Sequence, residues 1–390
     1  MFGKQVTLFN MFGFAVRVHA SWLIIVLLVT WTLAEGVFMS PQFDPATRWI
    51  MGAAGAIGLF VSVVVHELCH SLVARRYGLM MKGITLFLFG GMAEMADEPP
   101  SAKSEFWMAI AGPISSFILG GLFLLCTIAV TALSSLLALP AVLGWLASIN
   151  VLLAIFNLVP AFPLDGGRVL RSALWGWKGN LRWATKVASQ AGSFFGAALI
   201  FLGVLHVLAG AFVAGMWWFL IGMFVRFAAR QGYQQVLTRQ TLSGVPIARV
   251  MNPNPIVVPA DLSIADFVED YVYRYHYQMF PVAQSDGQLA GSITTQKIQG
   301  VPRQQWGSVA VGQLVQNIGP QNTISSSEDA MAALAAMNQN NTGHLMVVQE
   351  GRLAGIISMK DLMKFASLKT QLEASRQEAH DTGNHLPHPT

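Results

Sequence analysis

The stretch Val63-Val64-Val65-His66-Glu67-Leu68-Cys69-His70 decides how the rest of this 390-residue chain reads. On an α-helix, residues four apart lie one turn apart on the same face, so His66 and His70 can direct two imidazole nitrogens at one metal ion. Glu67 follows the first histidine and can reach a water beside that ion as general base, which is the physical content of a His-Glu-x-x-His motif. Two helix histidines hydrogen-bonded to their neighbours would give the same letters. The setting favours the metal. The motif fills the last third of an apolar run, residues 49–74, and ionisable groups beside hydrocarbon are costly and as a rule functional.

Working outward, the composition is that of a membrane protein. Hydrophobic residues make up 54% and charged residues 11%, against roughly 25% charged in soluble domains. Lys+Arg 24 against Asp+Glu 20 leaves a net charge of +4, which gives no reason to expect a nucleic-acid partner. The two cysteines, Cys69 and Cys126, sit in apolar stretches and do not make a disulfide framework. Cys69 reads as a small buried residue rather than a ligand. Residues 1–20 lack the apolar core and cleavage site of a signal peptide and read as an extended segment at the membrane surface, with His19 structural. Six runs approach spanning length: 21–38, 49–74, 106–133, 142–159, 188–208 and 212–225. Glu35, near the end of the first, reaches the headgroup region. Gly52, Gly55 and Gly58 give the second a face for close helix packing. Gly112-Pro113 is placed to bend the third.

Residues 83–91 are apolar but too short to span. Their β-branched and aromatic content, closed by Gly90-Gly91, predicts a strand or hairpin dipping into the membrane. Such backbone is tolerated at depth only where it is buried in protein or lines a cavity. Residues 165–186 read as a basic loop. Lys4, Arg17, Arg75, Arg76, Lys82, Lys103, that loop, Arg226 and Arg230 fall on one side of the membrane, and Arg48 alone on the other. The positive-inside rule therefore predicts a multi-pass protein of the cell (plasma) membrane with both termini cytoplasmic, and His66 and His70 a few residues inside the cytoplasmic surface.

The fourth run closes with Asn157-Leu158-Val159-Pro160-Ala161-Phe162-Pro163-Leu164-Asp165-Gly166-Gly167-Arg168. Asp165 then lies at about the depth of His70. Two histidines and one carboxylate leave a fourth tetrahedral position for water, the arrangement of a catalytic zinc, and metal and Glu67 together would activate that water at neutral pH. Asp-Gly is also a common turn pair, so Asp165 can be read as a turn residue. The Asn157 amide can bind substrate backbone or an oxyanion, or make a helix–helix hydrogen bond.

The His66–His70 motif followed by Asn157-x-x-Pro160-x-x-Pro163-Leu164-Asp165-Gly166 resembles the site-2 protease family of intramembrane zinc metalloproteases, over roughly residues 1–230. The resemblance implies one zinc per chain on His66, His70 and Asp165, Glu67 as catalytic base, and transmembrane proteins as substrates. It also implies that residues 84–95 are the family's membrane-associated β segment, which aligns an extended substrate. Ser116 stands where many members have Asn, and this bears on substrate contacts along the third span and leaves the expected zinc site untouched.

After Arg230 the composition changes. Residues 231–244 read as a polar linker, and two segments, 245–300 and 301–366, repeat a strand–helix–strand–strand pattern. Met279-Phe280-Pro281-Val282-Ala283 corresponds to His344-Leu345-Met346-Val347-Val348, and Leu289-Ala290-Gly291-Ser292-Ile293-Thr294 to Leu353-Ala354-Gly355-Ile356-Ile357-Ser358. The repeat resembles a tandem pair of cystathionine-β-synthase (CBS) domains. That resemblance implies an adenine nucleotide (ATP, ADP or AMP) between the repeats, with the Ser358 hydroxyl on phosphate and Asp361 on ribose, or else a structural pair that mediates homodimerisation. In the first repeat Thr294 matches Ser358, but Lys297 stands where Asp361 does and cannot accept ribose hydroxyls. Residues 367–390 read as a disordered tail.

The expected architecture is thus a polytopic α-helical membrane domain of about six transmembrane helices with a membrane-associated β segment, followed by a cytosolic α/β tandem CBS pair. The expected function is intramembrane proteolysis near the cytoplasmic side, regulated by that pair. A CBS-gated transporter and an inactive membrane-protein-binding relative are the alternatives. Glu67 discriminates, because moving a cation needs no base beside a histidine ligand.

Overall fold

The computed structural model describes residues 5–79, 81–87, 90–95, 98–133, 137–284 and 288–383. Two compact units divide it, Met1–Gln234 and Gln235–Thr390.

In the first unit the motif-bearing helix is α2, Pro45–Arg76, preceded by α1, Ser21–Thr32, which a π-helical turn extends to Val37. The start of α2 is dictated locally: Asp44 caps it by accepting from the Thr47 amide, and Pro45 occupies the first turn, where its missing N–H costs nothing. Gly52 lets the two helices touch, since a Cβ there would lie 2.6 Å from the Thr30 carbonyl oxygen. Then follow α3, Ala102–Leu133, α4, Ala138–Asn157, α5, Asp165–Lys178, α6, Leu181–Leu208, and α7, Phe212–Leu242. Five of these, α2, α3, α4, α6 and α7, are long and apolar enough to cross a membrane, while Ser21–Val37 is apolar but shorter. Large apolar side chains such as Ile50, Ile118 and Leu125 face outward, whereas Ser62, Ser116 and Asn150 are buried. This is the inverse of a soluble fold and suits a lipid surround.

Two expectations based on charge need correction. Residues 165–186 are not a loop but α5 and the first turns of α6, separated by Gly179 in the left-handed conformation and Asn180, which caps α6 through the Trp183 amide. Counting basic residues hid the helical period on which they lie. Residues 231–242, expected as linker, continue α7.

Strands β1, Gln5–Met11, β2, Phe14–His19, β3, Met81–Phe87, and β4, Gly90–Met95, form one sheet in that order, so the expected hairpin is present and the N-terminal segment joins it. β2 runs parallel to β3, with Val16 opposite Ile84. Phe14 packs on Leu68 and Val16 on Val64, which fixes the sheet against the turn of α2 that carries the motif.

In the second unit the repeat holds down to its irregularities. β5, Val258–Pro259, runs parallel to β6, Met279–Ala283, which pairs antiparallel with β7, Leu289–Thr294, and β7 with β8, Gln316–Asn317. β9, Thr323–Ser325, β10, His344–Gln349, and β11, Arg352–Ser358, repeat the order. Val282 faces Gly291 and Val347 faces Gly355, and each ladder shifts register immediately afterwards. The helices following β5 and β9 are capped by Ser263 and Asp329. The cores exchange their lead-in segments. Leu242, Val245 and Ile247 are buried with the second repeat, and Val311 is buried with the first. The final helix, Met359–Gly383, runs through most of the segment expected as a tail, and residues 384–390 lie outside the described residues.

Candidate metal centre

Helix α2 brings His66 and His70 to one buried face, and the first residue of α5 brings Asp165 to meet them. His66 Nε2 lies 3.1 Å from Asp165 Oδ2, His70 Nε2 lies 3.2 Å from it, and the two Nε2 atoms are 3.1 Å apart. Asp165 is therefore not a turn residue. Its helix starts hard against the preceding loop, where added Cβ atoms at Gly166 and Gly167 would lie 2.1 Å from the Leu158 oxygen and the Phe162 nitrogen. The Asp-Gly-Gly sequence is what lets a carboxylate be delivered there.

The protonation pattern follows from the partners on the far side of each ring. His70 Nδ1 lies 2.6 Å from the Met108 carbonyl oxygen, which can only accept, so Nδ1 carries the proton and Nε2 presents a lone pair to the centre. His66 Nδ1 lies 2.9 Å from Ser116 Oγ, which can hold His66 in the same state. Lone pairs and a carboxylate oxygen crowded into so small a triangle repel one another unless a cation or a shared proton lies among them. A tetrahedral zinc with ligands at about 2.0–2.1 Å sets its donor atoms roughly 3.3 Å apart, within a few tenths of an ångström of the observed edges. The space is also kept open: a Cβ on Gly112 would lie 2.2 Å from His70 Nε2 and 2.5 Å from His66 Nε2. Among the described residues His66, His70 and Asp165 form the cluster able to hold a metal ion.

Glu67 sits on the same turn of α2, between the two histidines in sequence. Asn157 ends α4 and makes no side-chain hydrogen bond among the described residues. Cys69 is a free thiol outside the cluster, and Cys126 is also free. His19 bonds Ser21 Oγ at 2.8 Å, and Glu35 lies 3.9 Å from Arg48. Sequence reasoning missed Met108, Gly112 and Ser116 as a lining of the centre. The signal was their spacing on α3, which repeats at helical period along one face.

In the second unit a cleft of about 480 Å³ lies between the repeats, lined by Thr294, Lys297, Asn340 and His344 among others. Ser358 and Asp361 are turned toward each other: Asp361 Oδ2 accepts from the Ser358 amide at 3.0 Å and from its hydroxyl at 2.5 Å. Burial pushes the His344 imidazole below its ordinary pKa, against the pull of Asp361.

The peptidase family M50 model matches residues 54–141 and 126–203, and the CBS domain model residues 247–300 and 317–368. A Synechocystis protein named "Putative zinc metalloprotease sll0528" is 35% identical over 91% of this chain and 93% of its own length. "Putative zinc metalloprotease Rip3" of Mycobacterium tuberculosis is 34% identical over 90% of each. Zinc metalloprotease MJ0392 of Methanocaldococcus jannaschii is 30% identical over 93% of this chain and 96% of its own length. A solved structure, the site-2 protease from Methanocaldococcus jannaschii, is 31% identical and covers 58% of this chain and 94% of that one, with a TM-score of 0.45. With relatives this similar along nearly the whole of both chains, and with the donor set just described, the chain belongs to peptidase family M50, the site-2 proteases, and is a zinc metalloprotease carrying a pair of CBS domains after its protease region.

Proposed function

We propose that this chain cleaves membrane proteins within their transmembrane segments, near the cytoplasmic face, with one zinc held by His66, His70 and Asp165. The convergence of the three donor atoms, with the far nitrogen of His70 fixed by a carbonyl, is the observation that carries the reading. Zinc would supply Lewis acidity, acidifying water and polarising a carbonyl. Glu67 takes the proton of the attacking water and returns it to the leaving amine nitrogen as the C–N bond breaks. The free Asn157 amide holds substrate backbone. β4 is an edge strand beside β3, and an unwound substrate pairing there would recover the hydrogen bonds it loses on leaving its helix. Ser21–Val37 together with the five longer apolar helices would make six crossings of the plasma membrane, and the distribution of Lys and Arg supports cytoplasmic termini. The CBS pair binds an adenine nucleotide, through Thr294 in the cleft or through Ser358 and Asp361 once these exchange their mutual bond for ligand, and regulates cleavage.

The test is to incubate the purified chain with a single-span substrate and map the products by mass spectrometry. A cut inside the span toward its cytoplasmic end is expected, favoured by helix-breaking residues. Cuts confined to soluble flanks would refute the intramembrane assignment. Asp165→Ala should lower zinc content, and full zinc stoichiometry in that variant would remove Asp165 from the site.

A further inference from the structure

One buried side chain beside the centre has no part in the chemistry above. Glu105, in the first turn of α3, is 0% exposed. It accepts from Arg171 Nε at 2.6 Å and from Arg171 Nη2, and Arg168 Nε lies 4.0 Å from the same oxygen. Both arginines stand in the first two turns of α5, the helix that begins with Asp165. Three residues beyond Glu105 on α3 is Met108, whose carbonyl holds His70. One face of α3 therefore grips both ligand-bearing elements, α2 through a backbone carbonyl and α5 through an ion pair.

Stability alone does not account for this cluster. Burying charges is expensive, and apolar residues of similar size commonly do as well or better, whereas fixing register is the best-attested use of such pairs. The cluster is also incompletely satisfied: Glu105 Oε2 and Arg168 Nη2 are buried without hydrogen-bond partners among the described residues. We propose that Glu105 is a positioning residue: by holding Arg171 it fixes the rotation of α5 and so the approach of the Asp165 carboxylate to His66 and His70. Groups hydrogen-bonded to metal ligands typically change metal affinity by about 10- to 100-fold when lost, and displacing the Asp165 carboxylate through α5 is expected to act on the same scale.

This inference rests on His66, His70 and Asp165 being the zinc ligands, so the full-length wild type is assayed in parallel. The variant is the double replacement Glu105→Met with Arg171→Met, which removes both charges and keeps the volume. Zinc affinity is read by chelator competition, ligand geometry by the visible spectrum of the cobalt-substituted protein, and folding by thermal melting. The expected result is a cooperative melt with zinc affinity lowered about 10- to 100-fold and a shifted cobalt spectrum. Wild-type affinity and spectrum in the folded double variant would overturn the proposal. If the double variant does not fold, Glu105→Asp decides: the shorter carboxylate should weaken zinc at a preserved melt, and unchanged zinc binding overturns the proposal. A wild type that takes up no zinc refutes the ligand reading, and this inference with it.

Discussion

Among the residues around the proposed zinc site, one of the most constrained has no side chain. Gly112 leaves free the volume beside both Nε2 atoms, so Gly112→Ala should yield a folded protein with little or no zinc, by metal analysis beside circular dichroism. Ser116→Ala removes the partner of His66 Nδ1 and should weaken zinc about 10- to 100-fold; an unchanged affinity would deny Ser116 that role. In the other unit, the His344 pKa lies below the 6.5 of the unfolded chain because the imidazole is buried. The unfolded state then binds more protons between the two values, so stability falls as pH drops through 6.5 toward the folded pKa. His344→Gln should flatten that decline in melting temperature, and an identical pH profile would contradict it. The pairing of His66 with His70 was legible in the sequence because ligand chemistry selects few residue types at few spacings, whereas Asp165, read also as a turn residue, joined them through the family resemblance, and the three do lie together. The Met108 carbonyl and the void at Gly112 were not legible, because any residue offers a carbonyl and a missing Cβ has a role only once a neighbour is known.

Elements were legible where period and length agreed. The apolar runs became α2, α3, α4, α6 and α7, and the short run ending in Gly90-Gly91 became a hairpin. α5 was missed because its charges drew attention from its helical period. The CBS repeats were visible as repeated sequence, but the exchange of lead-in segments was not, because hydrophobic burial does not follow chain order. That exchange has a consequence for fragments. One beginning at residue 253 lacks Leu242, Val245 and Ile247, which are at most 4% exposed in the core of the second repeat. Each fully buried aliphatic side chain contributes about 1.5–3 kcal/mol. A 253–383 fragment should therefore lose the cooperative melt that a 235–383 fragment keeps, and equal melts would show the lead-in to be dispensable.

For the molecule as a whole, low charge and outward apolar helices mark a membrane protein, and its kinship with zinc metalloproteases overrides the transporter alternative. The paired repeats are where the proposed nucleotide would act. If ATP or AMP binds the folded pair only, ligand at about 100 times Kd adds about 2.7 kcal/mol of stability. The melt of the 235–383 fragment should rise accordingly, with binding heat by calorimetry, and silence in both would end the nucleotide proposal. In the proposed reaction a metal-assisted water hydrolyses the peptide bond with Glu67 as base. The most direct measurement compares cleavage of one single-span substrate by wild type and Glu67→Gln, with zinc quantified in each. Equal zinc with cleavage lost in Glu67→Gln is the predicted result. Undiminished cleavage by that variant at equal zinc would contradict the mechanism.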